Sequence, residues 1–148
     1  MLSGGKLLLP VKVSNENRQC DRELRRQGIP CYPTTKKTFI KDLIYRSIDL
    51  KAALARELKQ VGQIIEVYPL VNKVHLFGRN VPRKTTKQGM SFLKNRVGRI
   101  LPSLKPYLGI LNHDLCDAVI AAYTGLLYHQ NRTEALGDPQ EGLIFIPD

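Results

Sequence analysis

The chain has 148 residues, 43% of them hydrophobic, and 23 Lys and Arg against 13 Asp and Glu give a formal charge of +10. That length fits one domain over residues 1–148 with enough apolar material for a core, which argues against a disordered chain. The longest apolar runs, at 7–10 and 119–122, fall far below the roughly 18 consecutive apolar residues of a membrane span, so no membrane partner is expected.

The amino terminus, MLSGGKLLLP, lacks both an apolar core of about 7 to 15 residues and a small-residue cleavage site, and predicts no secretory signal. Residues 17–27 (NRQCDRELRRQ) have polar residues at their start, good helix formers inside and Gly28 after them, which predicts a short basic helix. Pro30 and Pro33 then force an extended or turning path. From Thr38 to Val61, Phe39, Leu43, Ile44, Ile48, Ala52 and Leu58 recur near helical spacing, predicting one long helix, or two joined near Asp49, closed by Gly62. Residues 63–68 (QIIEVY) are rich in β-branched and aromatic side chains between Gly62 and Pro69, and form the best strand signal in the chain.

Residues 85–101 place Met90, Leu93, Val97 and Ile100 or Leu101 on one helical stripe among basic residues. Residues 114–129 repeat Leu115, Cys116, Val119, Ile120, Tyr123, Leu126 and Leu127, predicting a helix of about four turns. Residues 142–146 (GLIFI) predict a last strand, and 7–13 at best a further one, interrupted by Pro10. Strands separated by helices predict an α/β layered domain. Cys20, Cys31 and Cys116 are an odd set without a CxxC pair, indicating neither a disulfide framework nor a zinc site, and a cytoplasmic chain with reduced thiols is expected.

Charge is unevenly spread: 22 Lys or Arg against 7 acids in residues 1–106 give +15, and 1 against 6 in residues 107–148 give −5. A basic body favours polyanions, because neutralised phosphates release counterions, although a solvated basic surface has the same composition. The candidates for phosphate contact are Arg22, Arg25 and Arg26, then Arg83, Lys84 and Lys87, then Lys94, Arg96 and Arg99. Tyr32, Tyr45 and Tyr68 are candidates for base stacking or for ordinary core and rim positions. No P-loop or GxGxxG occurs.

Three acids are candidates for chemistry. Glu66 lies in an otherwise apolar strand, where an ionised carboxylate needs a cation or donors to compensate it, unless it faces solvent at a sheet edge. Asp114 and Asp117 are three residues apart at a helix start, where they can reach one ion together or serve as ordinary N-terminal acids. Together the three could hold Mg²⁺ or Mn²⁺ through oxygen ligands, as phosphodiester cleavage by paired ions requires, although such sites usually use one more carboxylate. His113 is a candidate base or a capping residue.

The motifs CDRELRRQGIPCYP (20–33), IIEVYPLVNKVHLFG (64–78), HDLCDAVIAAYTG (113–125) and ALGDPQEGLIFIP (135–147) resemble, in order and over nearly the whole chain, a bacterial and archaeal family called domain of unknown function 429, described as predicted nucleases of the RNase H-like fold. The resemblance implies a mixed sheet flanked by helices, with acids from the first strand, the EVYP strand and the last helix meeting at one end. Glu66 matches the second position and Asp117, with Asp114 one turn before it, the third. The family's first strands and first acid have no counterpart upstream of Leu8-Leu9-Pro10, which makes the expected fold an N-terminally truncated one. A start codon placed too late, a shortened gene or a member that binds without cutting would each account for this.

A metal-dependent nuclease, a hydrolase of nucleic-acid phosphodiesters, is the leading expectation. The alternative is a non-catalytic nucleic-acid-binding or protein-interaction module, which the missing first acid favours. Without its early strands the sheet would also leave the EVYP strand an open edge, an invitation to a homodimer.

Overall fold

The computed structural model describes residues 13–57 and 64–148. The candidate strand at 7–13 and the Leu8-Leu9-Pro10 turn lie outside the described residues except for Val13, as do Leu58, Gly62 and Gln63.

A short helix, α1 (Gln19–Arg26), is entered from an extended Arg18 and left through Gln27 and Gly28, whose φ of 75° is the left-handed conformation glycine adopts at low cost. The second helix, α2 (Lys41–Glu57), is continuous through Asp49 and buries only Ile44 and Ser47 along its length. Few of its residues touch another element, so its stability rests on its own helix formers more than on packing.

The strand expected over 63–68 is shorter in the structure, where β1 spans Glu66–Val67. Directly after it runs a helix that sequence periodicity does not announce, α3 (Pro69–Phe77), with Tyr68 as its extended N-cap and Pro69 in the first turn. A proline there lacks only an N–H that would have no intrahelical partner, and its fixed φ suits the helix. The two expected helices follow as α4 (Lys87–Ile100) and α5 (His113–His129), with a 3₁₀ turn (Pro102–Tyr107) between them. Two closing strands are β2 (Thr133–Leu136) and β3 (Ile144–Pro147).

The described strands form one mixed sheet in the order β1-β3-β2. β3 runs parallel to β1, with Glu66 opposite Ile144, and antiparallel to β2, with Leu136 opposite Ile144. A parallel pair needs a long crossover, and α3, α4 and α5 supply it. The molecule is therefore a mixed α/β domain built on a small sheet.

Two apolar clusters make the core. Ile144 and Ile146, alternate residues on one face of β3, gather Cys20 and Leu24 of α1, Ile29 of the loop after it, and Val71 of α3. Leu93 and Val97 of α4 meet Leu111, Cys116 and Ile120 of α5 in the second. From the opposite face of β3, Phe145 packs edge-on against Tyr128 of α5 at 4.8 Å between ring centres. The effect is to pack α3 and α5 against β3, the strand that pairs with β1. No helix among the described residues is long and apolar enough to cross a membrane.

Candidate functional site

Glu66 is buried, and both of its oxygens face the guanidinium of Arg18, with Nη1 at 2.7 Å from Oε2 and Nη2 at 2.9 Å from Oε1. Arg18 is itself only 3% exposed. Its Nε donates to Thr34 Oγ1 at 3.1 Å, and its Nη2 lies 3.4 Å from Asp21 Oδ1. The Thr34 hydroxyl in turn donates to Asp21 Oδ2. Burial alone would lower the Arg18 pKa, but the hydrogen bonds and charge of Glu66, and then Asp21, hold it above its ordinary value. One guanidinium thus ties α1, the loop at Thr34 and β1 together in a two-pronged geometry that lysine cannot reproduce.

Asp117, in the second turn of α5, is also buried and also saturated with cations. Lys73 of α3 donates to Oδ1 at 2.8 Å, and Lys84, in the loop before α4, donates to Oδ2 at 2.7 Å. Asp114 is much more open, with 45% of its side chain exposed; the Lys84 ammonium lies 4.0 Å from its Oδ1. His113 Nδ1 approaches the same oxygen at 2.9 Å. Neither aspartate caps α5: Asn112 does, its Oδ1 accepting from the Leu115 N–H at 2.9 Å.

The structure therefore brings Asp114 and Asp117 to one ammonium group and ties Glu66 to a separate guanidinium. Among the described residues no group of three His, Cys, Asp or Glu side chains stands together as a metal site, and each of the two buried acids, Glu66 and Asp117, is held by cationic side chains. The donor chemistry points the same way. An oxygen already accepting from an ammonium or guanidinium must lose that partner before it can bind Mg²⁺ or Mn²⁺.

Three of the residues that matter most, Arg18, Lys73 and Asp21, were not singled out by the sequence, although Asp21 and Lys73 lie inside the motifs at 20–33 and 64–78. A strand glutamate announces that some cation must meet it, but only the long-range fold says which one. For Lys73 even the helix that presents it was hidden.

The basic candidates divide by what already holds them. Arg22, Arg25, Arg26, Arg83, Lys87 and Arg99 are exposed, and none forms an ion pair with a described residue. Lys94 donates to the Gly109 carbonyl at 3.1 Å, and the Arg96 guanidinium sits 5.2 Å from the centre of the Phe92 ring. Of the tyrosines, Tyr68 is half-buried and donates to the Pro30 carbonyl, and burial pushes its phenol pKa up, with smaller contributions from Cys31, Tyr32 and Asp117. Tyr32 stays half-exposed beside Phe39.

Lys73, Lys84 and Asp117 also line a cavity of about 560 Å³ whose remaining walls, from α2, α3 and the loop at 81–85, are mainly apolar. No family model, curated protein or solved structure matches the chain.

Proposed function

We propose that the chain is a nucleic-acid-binding member of the RNase H-like family it resembles, domain of unknown function 429, and that Glu66 and Asp117 act in it as the anchors of ion pairs. The carrying observation is the division of its charges. The buried acids are neutralised internally by Arg18, Lys73 and Lys84, while Arg22, Arg25 and Arg26 on α1 and Arg83, Lys87 and Arg99 around α4 keep their charge at the surface. Such cations neutralise backbone phosphates without reading sequence. A reducing, cytoplasmic setting suits three cysteines that form no disulfide among themselves.

Binding of a single-stranded oligonucleotide, followed against salt concentration, tests this reading. Log K should fall linearly with log salt, and Arg25→Ala with Arg26→Ala should make the slope shallower by about 1 for each phosphate contact removed. Absence of binding at low salt, or binding indifferent to salt, would reject it.

A second reading, a Mg²⁺- or Mn²⁺-dependent nuclease, draws on one observation: the Lys84 ammonium already occupies a cation position between Asp114 and Asp117. An ion entering there would have to displace Arg18 from Glu66 or Lys73 and Lys84 from Asp117. Calorimetric titration with Mn²⁺ separates the two readings. Binding that disappears in both Glu66→Gln and Asp117→Asn would favour the nuclease, and no binding to the folded protein would leave the non-catalytic reading.

A further inference from the structure

The cavity beside Asp117 has two chemically different ends. At its buried end are Lys73, 3% exposed, and Asp117, also 3% exposed, with Lys84 above them. Arg83 adds a fourth charge from the exposed wall. Three cations against Asp117 and the neighbouring Asp114, +3 and −2, leave this end with a formal +1. At the open end stand Tyr32, 49% exposed, and Phe39, 81% exposed, in edge-to-face contact with ring centres 5.5 Å apart and planes at 87°.

Tyr32 and Phe39 together present an accessible aromatic pair on the wall of a cavity that also carries cations, a combination suited to a ligand with a ring and an anionic group. We infer that the cavity seats one nucleoside monophosphate unit, its base against Tyr32 and Phe39 and its phosphate at Lys84 and Arg83. A phosphate monoester carries about −1.5 to −2 at neutral pH, opposite in sign to the surplus charge, and Arg83 is the cation there that no described carboxylate pairs. The cavity volume of about 560 Å³ falls in the range of small-molecule sites, roughly 300 to 1,000 Å³. Stacking on an aromatic face accepts any base, so the seat selects for a ring joined to a phosphate rather than for one nucleobase.

The choice of a nucleotide rests on the nucleic-acid reading and adds to it a defined position for a strand end. A free mononucleotide and the phosphorylated terminus of a strand share this chemistry, and oligonucleotides with and without a 5′-phosphate distinguish them.

Calorimetry on the full chain with AMP, adenosine and inorganic phosphate tests the seat. AMP should bind at least about tenfold more tightly than either fragment, since each fragment engages one end only. Phe39→Ala, at an exposed position that folding does not depend on, should weaken AMP by about five- to a hundredfold, the range of one lost stacking contact. Arg83→Ala should weaken AMP several-fold and leave adenosine unchanged. A folded protein that ignores millimolar AMP, or that binds AMP and adenosine equally, would overturn the inference, as would full AMP affinity in Phe39→Ala. Oligonucleotide binding without AMP binding rejects the seat and spares the wider reading, whereas AMP binding without oligonucleotide binding does the reverse. If the seat receives a strand end, AMP should compete with a 5′-phosphorylated oligonucleotide and not with its unphosphorylated twin. Competition with neither would restrict the seat to the free nucleotide, and equal competition with both would show that a terminal phosphate is not what the seat recognises.

Discussion

Arg18 illustrates how much one side chain holds in place. It stands before the first turn of α1, yet its guanidinium spans to β1 through Glu66 and to the loop at Thr34. Removing a partner from a buried ion pair leaves the other charge desolvated, at a cost of about 3 to 5 kcal/mol. Arg18→Ala should therefore lower unfolding free energy by about that amount. Arg18→Lys should recover only part of it, because one ammonium cannot bridge both oxygens of Glu66 and Thr34 as well. Urea melts of the three proteins check this, and equal stability of the alanine variant and the parent would show that the pair adds nothing. The need for such a cation was legible at Glu66 from its apolar neighbours, but its identity was not. Arg18 lies 48 positions away in a segment with four arginines within nine residues, and nothing local distinguishes the buried one from its exposed neighbours.

At the scale of elements, the long amphipathic helices α2, α4 and α5 were legible because their apolar spacing repeats over several turns. Two short elements were not. α3 begins at a proline directly after a strand, and its Val71 and Val74 blur the contrast between helical and extended periodicity. β2 is written in Glu, Ala and Leu, which favour helix, and is held extended by its ladder with β3. The start of α4 offers a sharper test. The Thr86 side chain accepts from the Gly89 N–H at 3.0 Å, and the Arg83 carbonyl folds back over the same turn. A Cβ on Gly89 would stand 1.9 Å from the Arg83 oxygen, a backbone atom that cannot rotate aside. Gly89→Ala should thus destabilise the protein by about 1 to 3 kcal/mol, despite the helix preference of alanine. It should also displace the Arg83 and Lys84 wall of the cavity. Gly125→Ala in α5 is the control: nothing lies within 4 Å of the added methyl, and a gain of up to about 1 kcal/mol is expected. Thermal melts of the two variants should move in opposite directions.

The whole molecule depends on a join between its two apolar clusters. One is centred on β3 with α1 and α3, the other lies between α4 and α5, and α5 touches both the sheet and α4. Asn72 stands at this join, fully buried in α3 next to Val71. Its Nδ2 donates to Thr124 Oγ1 of α5 at 2.8 Å and to the Phe145 carbonyl of β3 at 3.2 Å. Its own Oδ1 is buried and has no hydrogen-bond partner among the described residues, a cost that an apolar residue would not incur. An amide kept under that penalty fixes the register of three elements rather than maximising stability, as buried polar groups do where they specify one packing. Asn72→Ala should then cost about 1 to 3 kcal/mol through the lost donor and the space left behind. Thr124→Val should cost less, because Asn72 keeps its bond to the Phe145 carbonyl and little volume is lost, although the bond from the Thr124 hydroxyl to the Ile120 carbonyl goes too. The double variant should cost less than the sum, since both changes remove the same bond. Hydrogen exchange gives the decisive readout: amides of α4 and α5 should lose protection before those of β3 in Asn72→Ala if the amide couples the two clusters. Uniform loss of protection across all three elements would show instead that the domain unfolds as one unit without it.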